Sequence, residues 1–250
     1  MLPMNEKMQE EFINEYSGLY FTDTEKDSKE LGISRSLNRT DREDENFIIQ
    51  TYLECGEINS DVVAWKAGKY RGKSEIDWKW DGKNGYGGKI EEAELNAYME
   101  YLREKTQIVS EAERGIDYLK DGKHREAIEE IQNAYKDMLG DKIVPDNIGP
   151  VYIINLLFFL TKGKAPIYDQ YAHKAVRALG YDVSPALIYI GENPDKHSAK
   201  KVVEMYYEYL LLLKNVFGGD VFKPVENNDD RKLDQALWVY GHVTDVTKKF

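Results

Sequence analysis

The chain is poor in the residues that build special chemistry cheaply. Among 250 residues there is one cysteine, Cys55, and only 4 histidines. A single cysteine excludes an intrachain disulfide, a cysteine-cluster metal site and an iron–sulfur cluster, and it suits a reducing compartment. Long apolar runs are also missing. The longest, residues 151–160, is interrupted by Asn155 and falls well short of the ~20 apolar residues that cross a bilayer. The first twenty residues carry Glu6, Glu10, Glu11 and Glu15 between their apolar positions. That is neither the basic start nor the apolar stretch of a secretory signal, so a cytoplasmic location is expected. Basic residues are outnumbered, 34 Lys plus Arg against 45 Asp plus Glu, for a formal net charge of -11. Bulk charge therefore opposes a non-specific coat on nucleic acid, because phosphates would be repelled from most of the surface.

What is present is unevenly placed. Residues 1–61 hold 15 acids and 6 bases, and residues 90–142 hold 14 and 8. Residues 62–89 reverse the balance with 7 bases and 3 acids, and residues 143–180 carry 4 bases and 2 acids. Two basic islands thus stand in an acidic chain. Aromatic residues make up 12% of the chain, which excludes a disordered polymer and supplies either a dense core or stacking surfaces.

Helical periodicity dominates. Met4, Met8, Phe12 and Tyr16 recur every fourth position, which predicts an amphipathic N-terminal helix. Residues 22–45 are polar and without period, so a mobile loop is expected there. Short helices are expected over 47–53 and 62–65, the second capped by Ser60 or Asp61. Further helices are expected over 90–105, 109–119, 124–139, 151–160, 169–179 and 199–213, with a last short one over 233–240. Gly140 and Gly180 are suited to end helices and Pro150 to begin one. A single mostly α-helical domain over 1–250 follows, with a short irregular or β-hairpin insertion around 66–89. The acidic runs at 41–45 and 227–230 read as solvated loops.

The first basic island interleaves Lys66, Lys69, Arg71, Lys73, Lys79, Lys83 and Lys89 with Trp65, Tyr70, Trp78, Trp80 and Tyr86. Alternating cations and aromatic planes are what unstacked bases need, so Trp65, Lys66, Lys69, Arg71, Trp78 and Trp80 are candidates for a base-stacking patch. The plainer alternative is a solvated loop anchored by its Trp residues. Gly85, Gly87, Gly88 and Lys89 do not make a phosphate loop, since GKNGYGGKI lacks the spacing and has Ile90 where a hydroxyl belongs.

The second island runs VPDNIGPVYI, INLLFFL, TKGKAPIYD and QYAHKAVRALG, from Val144 to Gly180. A Pro, Asn and Gly turn leading into an apolar helix leaves the helix's first N–H groups free, which is one way to grip a phosphate backbone. An ordinary helix–turn–helix connection uses the same residues. In order and spacing this stretch resembles the helix-hairpin-helix DNA glycosylase superfamily, which includes endonuclease III and the 8-oxoguanine and adenine glycosylases. There a hairpin leads into an apolar helix, a Gly/Pro loop and a catalytic Asp that opens a basic helix.

The resemblance spans 37 of the 250 residues and implies a multi-helix glycosylase-like fold. It places the catalytic aspartate at Asp169, the backbone grip at Asn147, Gly149 and Val151, and a pocket beside Tyr168 and His173. An aspartate there would stabilise charge on the sugar as the base leaves, although Asp is also a favoured helix N-cap. His173 lies one turn after Asp169 and is either its partner or a satisfied neighbour. Val151 stands where bifunctional members carry the Schiff-base lysine, so the implied activity is at most monofunctional N-glycosylase chemistry on DNA or a nucleotide. Asn147 replaces the first hairpin glycine, and one residue is added between Pro145 and Gly149. The alternative is a non-catalytic binding or assembly module that keeps the fold. No cofactor and no metal is called for.

Overall fold

The computed structural model describes residues 4–21, 42–53, 57–67, 70, 79–80, 88–89, 91–140, 143–180 and 195–243. Described side chains exclude those of 79–80 and 88–89. The architecture is mostly α-helical. Helix α1 is Glu6–Ser17, α2 is Arg42–Ile48 and runs into a π-helical turn at Ile49–Leu53, and α3 is Ser60–Lys66. Lys79–Trp80 (β1) pairs antiparallel with Gly88–Lys89 (β2), with Lys79 opposite Lys89. The remaining helices are α4 Glu92–Glu104, α5 Thr106–Lys120, α6 His124–Leu139, α7 Pro150–Leu160, α8 Gln170–Leu179, α9 Ala199–Phe217 and α10 Lys232–Val243. Two 3-10 turns, Gly219–Val221 and Asn228–Arg231, join α9 to α10.

Helix α7 is the axis of the core. Ile153, Ile154, Leu156, Leu157, Phe158, Phe159 and Leu160 are all buried, and a helix apolar on every side must be covered on every side. Each such side chain contributes about 1.5–3 kcal/mol of gross burial energy. Helices α3, α5 and α6 pack around it. Helices α5 and α6 form the closest pair, an antiparallel hairpin turned by Gly122 at φ +77. Helix α10 lies between α1 and α8. It approaches α8 so closely that a Cβ on Gly241 would overlap the Tyr171 carbonyl oxygen. No helix among the described residues is long and apolar enough to cross a membrane.

Two local expectations are corrected, and a third segment gains a defined shape. Residues 42–45, read as the end of a loop, begin α2, and Glu45 is fully buried in it. The acidic run at 227–230 is largely exposed, and it is shaped into a capped turn: Asn227 accepts from the Asp229 backbone N–H and Asp230 reaches back to the N–H of Asn227. Helix α3 is capped by Asn59, whose Oδ1 accepts from the Asp61 N–H, and not by Ser60 or Asp61. The rest of the expected loop, residues 22–41, lies outside the described residues.

Candidate functional site

The hairpin and the Asp-bearing helix come together around one buried amide. Asn155 on α7 donates to the Tyr168 carbonyl at 2.8 Å and accepts the Tyr168 N–H at 2.6 Å. A polar side chain costs free energy inside an apolar helix unless both its ends are bonded, and here both are. The clamp fixes the loop that delivers Asp169. Upstream of it α7 closes through Lys162 at φ +51 and Gly163 at φ +87, whose Cβ position Val225 already fills.

Asp169 is the N-cap of α8. Its Oδ1 accepts the Tyr171 N–H at 2.8 Å. Its Oδ2 faces the Lys66 ammonium at 3.5 Å, with side-chain exposures of 21% for Asp169 and 16% for Lys66. Two candidates from separate sequence islands are thereby neighbours. Trp65, next to Lys66, belongs to the core: its ring meets Phe159 edge-on at 5.7 Å and lies under the Arg231 guanidinium at 4.9 Å. Its indole N–H donates to Glu45 at 3.2 Å. Lys69, Arg71 and Trp78 lie outside the described residues, and Trp80 is described only as backbone of β1.

Behind Trp65 is an ion-pair cluster that no motif announced. Arg231 donates to Glu45 at 2.8 Å, to Asp234 at 2.8 Å and to Asn228 at 3.0 Å. Tyr20 adds a hydroxyl to Glu45 at 3.1 Å. The Glu45 and Arg231 side chains are 0% and 3% exposed. Burial opposes the charge on Arg231, but Asp234 and Glu45 more than offset it and hold the proton more tightly than usual. The same burial raises the pKa of Asp234 despite Arg231 beside it.

At the hairpin, Gly149 at φ -82 is the N-cap of α7, no side chain caps it, and Pro150 is the first helical residue. Asn147 is not in the left-handed conformation, since Lys162 is the positive-φ residue other than glycine among the described ones. The turn is instead held by Lys196, which sequence reasoning missed. Its ammonium donates to the Pro145 and Asp146 carbonyls, both at 2.9 Å. Burial pulls the Lys196 pKa down, with Asp146 and Asp195 opposing. Val151, one residue into α7, carries one of the N–H groups that the helix itself leaves without a partner.

Tyr168 and His173 form a buried pair. The Tyr168 hydroxyl lies 3.2 Å from His173 Nδ1, and His173 Nε2 lies 3.9 Å from a Glu208 carboxylate oxygen. Arg177 on the same helix is bonded to Glu208. Burial first, then the charge of Arg177, hold the His173 pKa down at about 3. His173 is thus a neutral core residue turned toward α9.

Two cavities flank the Glu45–Arg231 pair. One of about 490 Å³ opens between α1, α2 and the start of α10; the other, about 60 Å³, lies beside Tyr209 and Leu237. Asp169 and the hairpin line neither. Comparison of the chain with family models, with curated proteins and with solved structures returns no match.

Proposed function

We propose that the chain is a binding module with a helix-hairpin-helix-like hairpin that takes a nucleic-acid backbone or nucleotide phosphate, and that Asp169 organises the site without hydrolysing. The observation that carries this reading is the state of the Asp169 carboxylate. One oxygen is bonded as a helix cap and the other is neutralised by Lys66. A carboxylate that stabilises a developing positive sugar must present its charge to the sugar, and a lysine 3.5 Å away cancels most of that field. The anion-binding elements are the first turn of α7 at Val151 and the Lys196 cation seated on the preceding turn.

A second reading, monofunctional N-glycosylase, is favoured by the residual exposure of both Asp169 and Lys66. Substrate that displaced the Lys66 ammonium would free the carboxylate. Val151 in the hairpin helix still excludes the lysine route of the bifunctional enzymes.

One experiment separates the two readings. Fluorescence anisotropy with single- and double-stranded oligonucleotides, with and without damaged bases, is run on the wild type, Lys196→Ala and Asp169→Asn, and abasic sites are then assayed. Binding is expected to weaken with salt and to lose about one unit of log–log salt slope in Lys196→Ala. No abasic sites are expected from either the wild type or Asp169→Asn. Abasic sites made by the wild type and not by Asp169→Asn would replace the binding reading with the hydrolase. Salt-independent binding, or none, would overturn both.

A further inference from the structure

The cavity of about 490 Å³ between α1, α2 and α10 has the size of an ordinary small-molecule site. Its wall is rich in amides, and the orientation of a side-chain amide is normally ambiguous because oxygen and nitrogen look alike. Here a buried charge decides it. The Arg231 guanidinium carries only donors, and its Nη1 lies 3.0 Å from the Asn228 side chain. That end of Asn228 must therefore be its oxygen. Its nitrogen then donates to Asn46 at 2.9 Å, so Asn46 turns its own oxygen inward and its NH₂ toward the cavity. The same Asn228 oxygen receives the Gln235 NH₂ at 3.3 Å, which leaves the Gln235 carbonyl for the cavity. A charge that does not titrate near neutral pH thus fixes one donor, Asn46 Nδ2, and one acceptor, Gln235 Oε1, on a shared wall.

The rest of the lining adds two further requirements. The Arg42 guanidinium lies 4.7 Å over the Phe21 ring, a flat surface with positive charge. Lys232 supplies a second cation, 3.7 Å from an Asp229 carboxylate that is itself 87% exposed. An occupant must offer an acceptor beside a donor, a planar face and an anionic group.

We propose that this cavity binds a nucleotide, with Asn46 and Gln235 reading the hydrogen-bonding edge of the base and Arg42 and Lys232 taking the phosphate. Every nucleobase has a donor next to an acceptor on one edge, and its ring supplies the plane. The hairpin grip does not depend on this site. Its loss in Lys196→Ala is read with oligonucleotides, whereas the cavity is read with mononucleotides.

The test is isothermal titration of the full chain with the four nucleoside 5′-monophosphates, ribose 5-phosphate and inorganic phosphate, and with a short single-stranded oligonucleotide. At least one mononucleotide is expected to bind tenfold or more tightly than ribose 5-phosphate. Asn46→Leu, which removes the donor without adding charge, and Gln235→Leu, which removes the acceptor, are each expected to weaken it about tenfold while leaving ribose 5-phosphate unchanged. Both side chains touch the buried cluster, so Arg42→Ala, at an exposed position, serves as the variant free of folding effects. It is expected to weaken nucleotide and ribose 5-phosphate alike. Tighter binding of the oligonucleotide than of any mononucleotide, kept in Lys196→Ala and weakened by loss of the Asn46 donor, would assign the cavity to a strand's base, still by the same donor and acceptor. Equal binding of nucleotide and ribose 5-phosphate, wild-type affinity in Asn46→Leu and Arg42→Ala, or no binding at millimolar concentration would each overturn the proposal.

Discussion

Replacing Arg231 by Met should be among the most damaging single changes in the chain, for reasons that can be worked through atom by atom. Methionine keeps an aliphatic stem over the Trp65 and Phe158 rings, so the packing loss is small. What goes is the charge. Glu45, 0% exposed, would keep the neutral Tyr20 hydroxyl and Trp65 indole N–H but lose the guanidinium that faces it. Asp234 and the Asn228 amide would each lose a bond to the same guanidinium. Removing one partner of a buried ion pair costs about 3–5 kcal/mol, because the other charge stays behind uncompensated. Against a total stability of about 5–15 kcal/mol that is a third or more of the fold in most cases. At about 2–4 °C per kcal/mol for a chain of this size, the melting temperature should fall by about 6–20 °C. Urea unfolding followed by far-ultraviolet circular dichroism measures the free-energy loss at constant m-value, and a thermal melt by the same signal measures the temperature shift. The double variant Glu45→Leu/Arg231→Met, which removes both charges, should be more stable than Arg231→Met alone. A single variant within about 1 kcal/mol of wild type, or a double variant as costly as the sum of the singles, would refute the account.

Three other expectations can be tested with the same unfolding assay. His173, with a folded pKa of about 3 against an ordinary 6.5, takes up a proton on unfolding but not in the native state between those values. Stability should therefore fall as pH falls through that window, at up to about 1.4 kcal/mol per pH unit. The wild type should lose about 2 kcal/mol more than His173→Phe between pH 7 and pH 5, and parallel losses would show the histidine is not the cause. Asn155→Ala leaves the buried Tyr168 N–H and carbonyl unpaired, at about 1–3 kcal/mol for each group; a loss under 1 kcal/mol would mean that the clamp is dispensable. Gly241→Ala tests the sign of an effect: helix propensity alone predicts a gain of about 1 kcal/mol. The Tyr171 carbonyl oxygen, which the new Cβ would overlap, predicts a loss of about 1–3 kcal/mol from overpacking instead.

Much of the helix inventory was legible because it rests on local pattern. The stripe over 124–139 gives α6 with the same bounds, and the apolar run with Pro150 ahead of it gives α7. Asp169 as the N-cap of α8 was visible for the same reason, since a cap bonds to the N–H two or three residues on. What could not be read was set by distant partners. Residues 42–45 are all polar, and they are helical with Glu45 buried because Arg231 pairs with it from 186 positions away. Lys196 likewise finds the hairpin carbonyls across some fifty residues. Single positions of this kind leave no period, spacing or composition to detect. The pairing of Lys66 with Asp169 lay between these cases: each was singled out, and only the packing of α3 against α7 made them neighbours.

The long reach of the Glu45–Arg231 pair also bears on the order in which the molecule assembles. Helices α5 and α6 are joined by a tight turn and meet over their lengths, so they can form early at little loop-closure cost. The joining of α1 and α2 to α10 closes most of the chain into one loop and belongs at the end of folding. The amide-lined cavity is closed by residues of these three helices and of the turns beside them. A partly folded chain can hold a native α5–α6 hairpin and still have no cavity, so ligand binding there would report completed folding in a way that helical content does not.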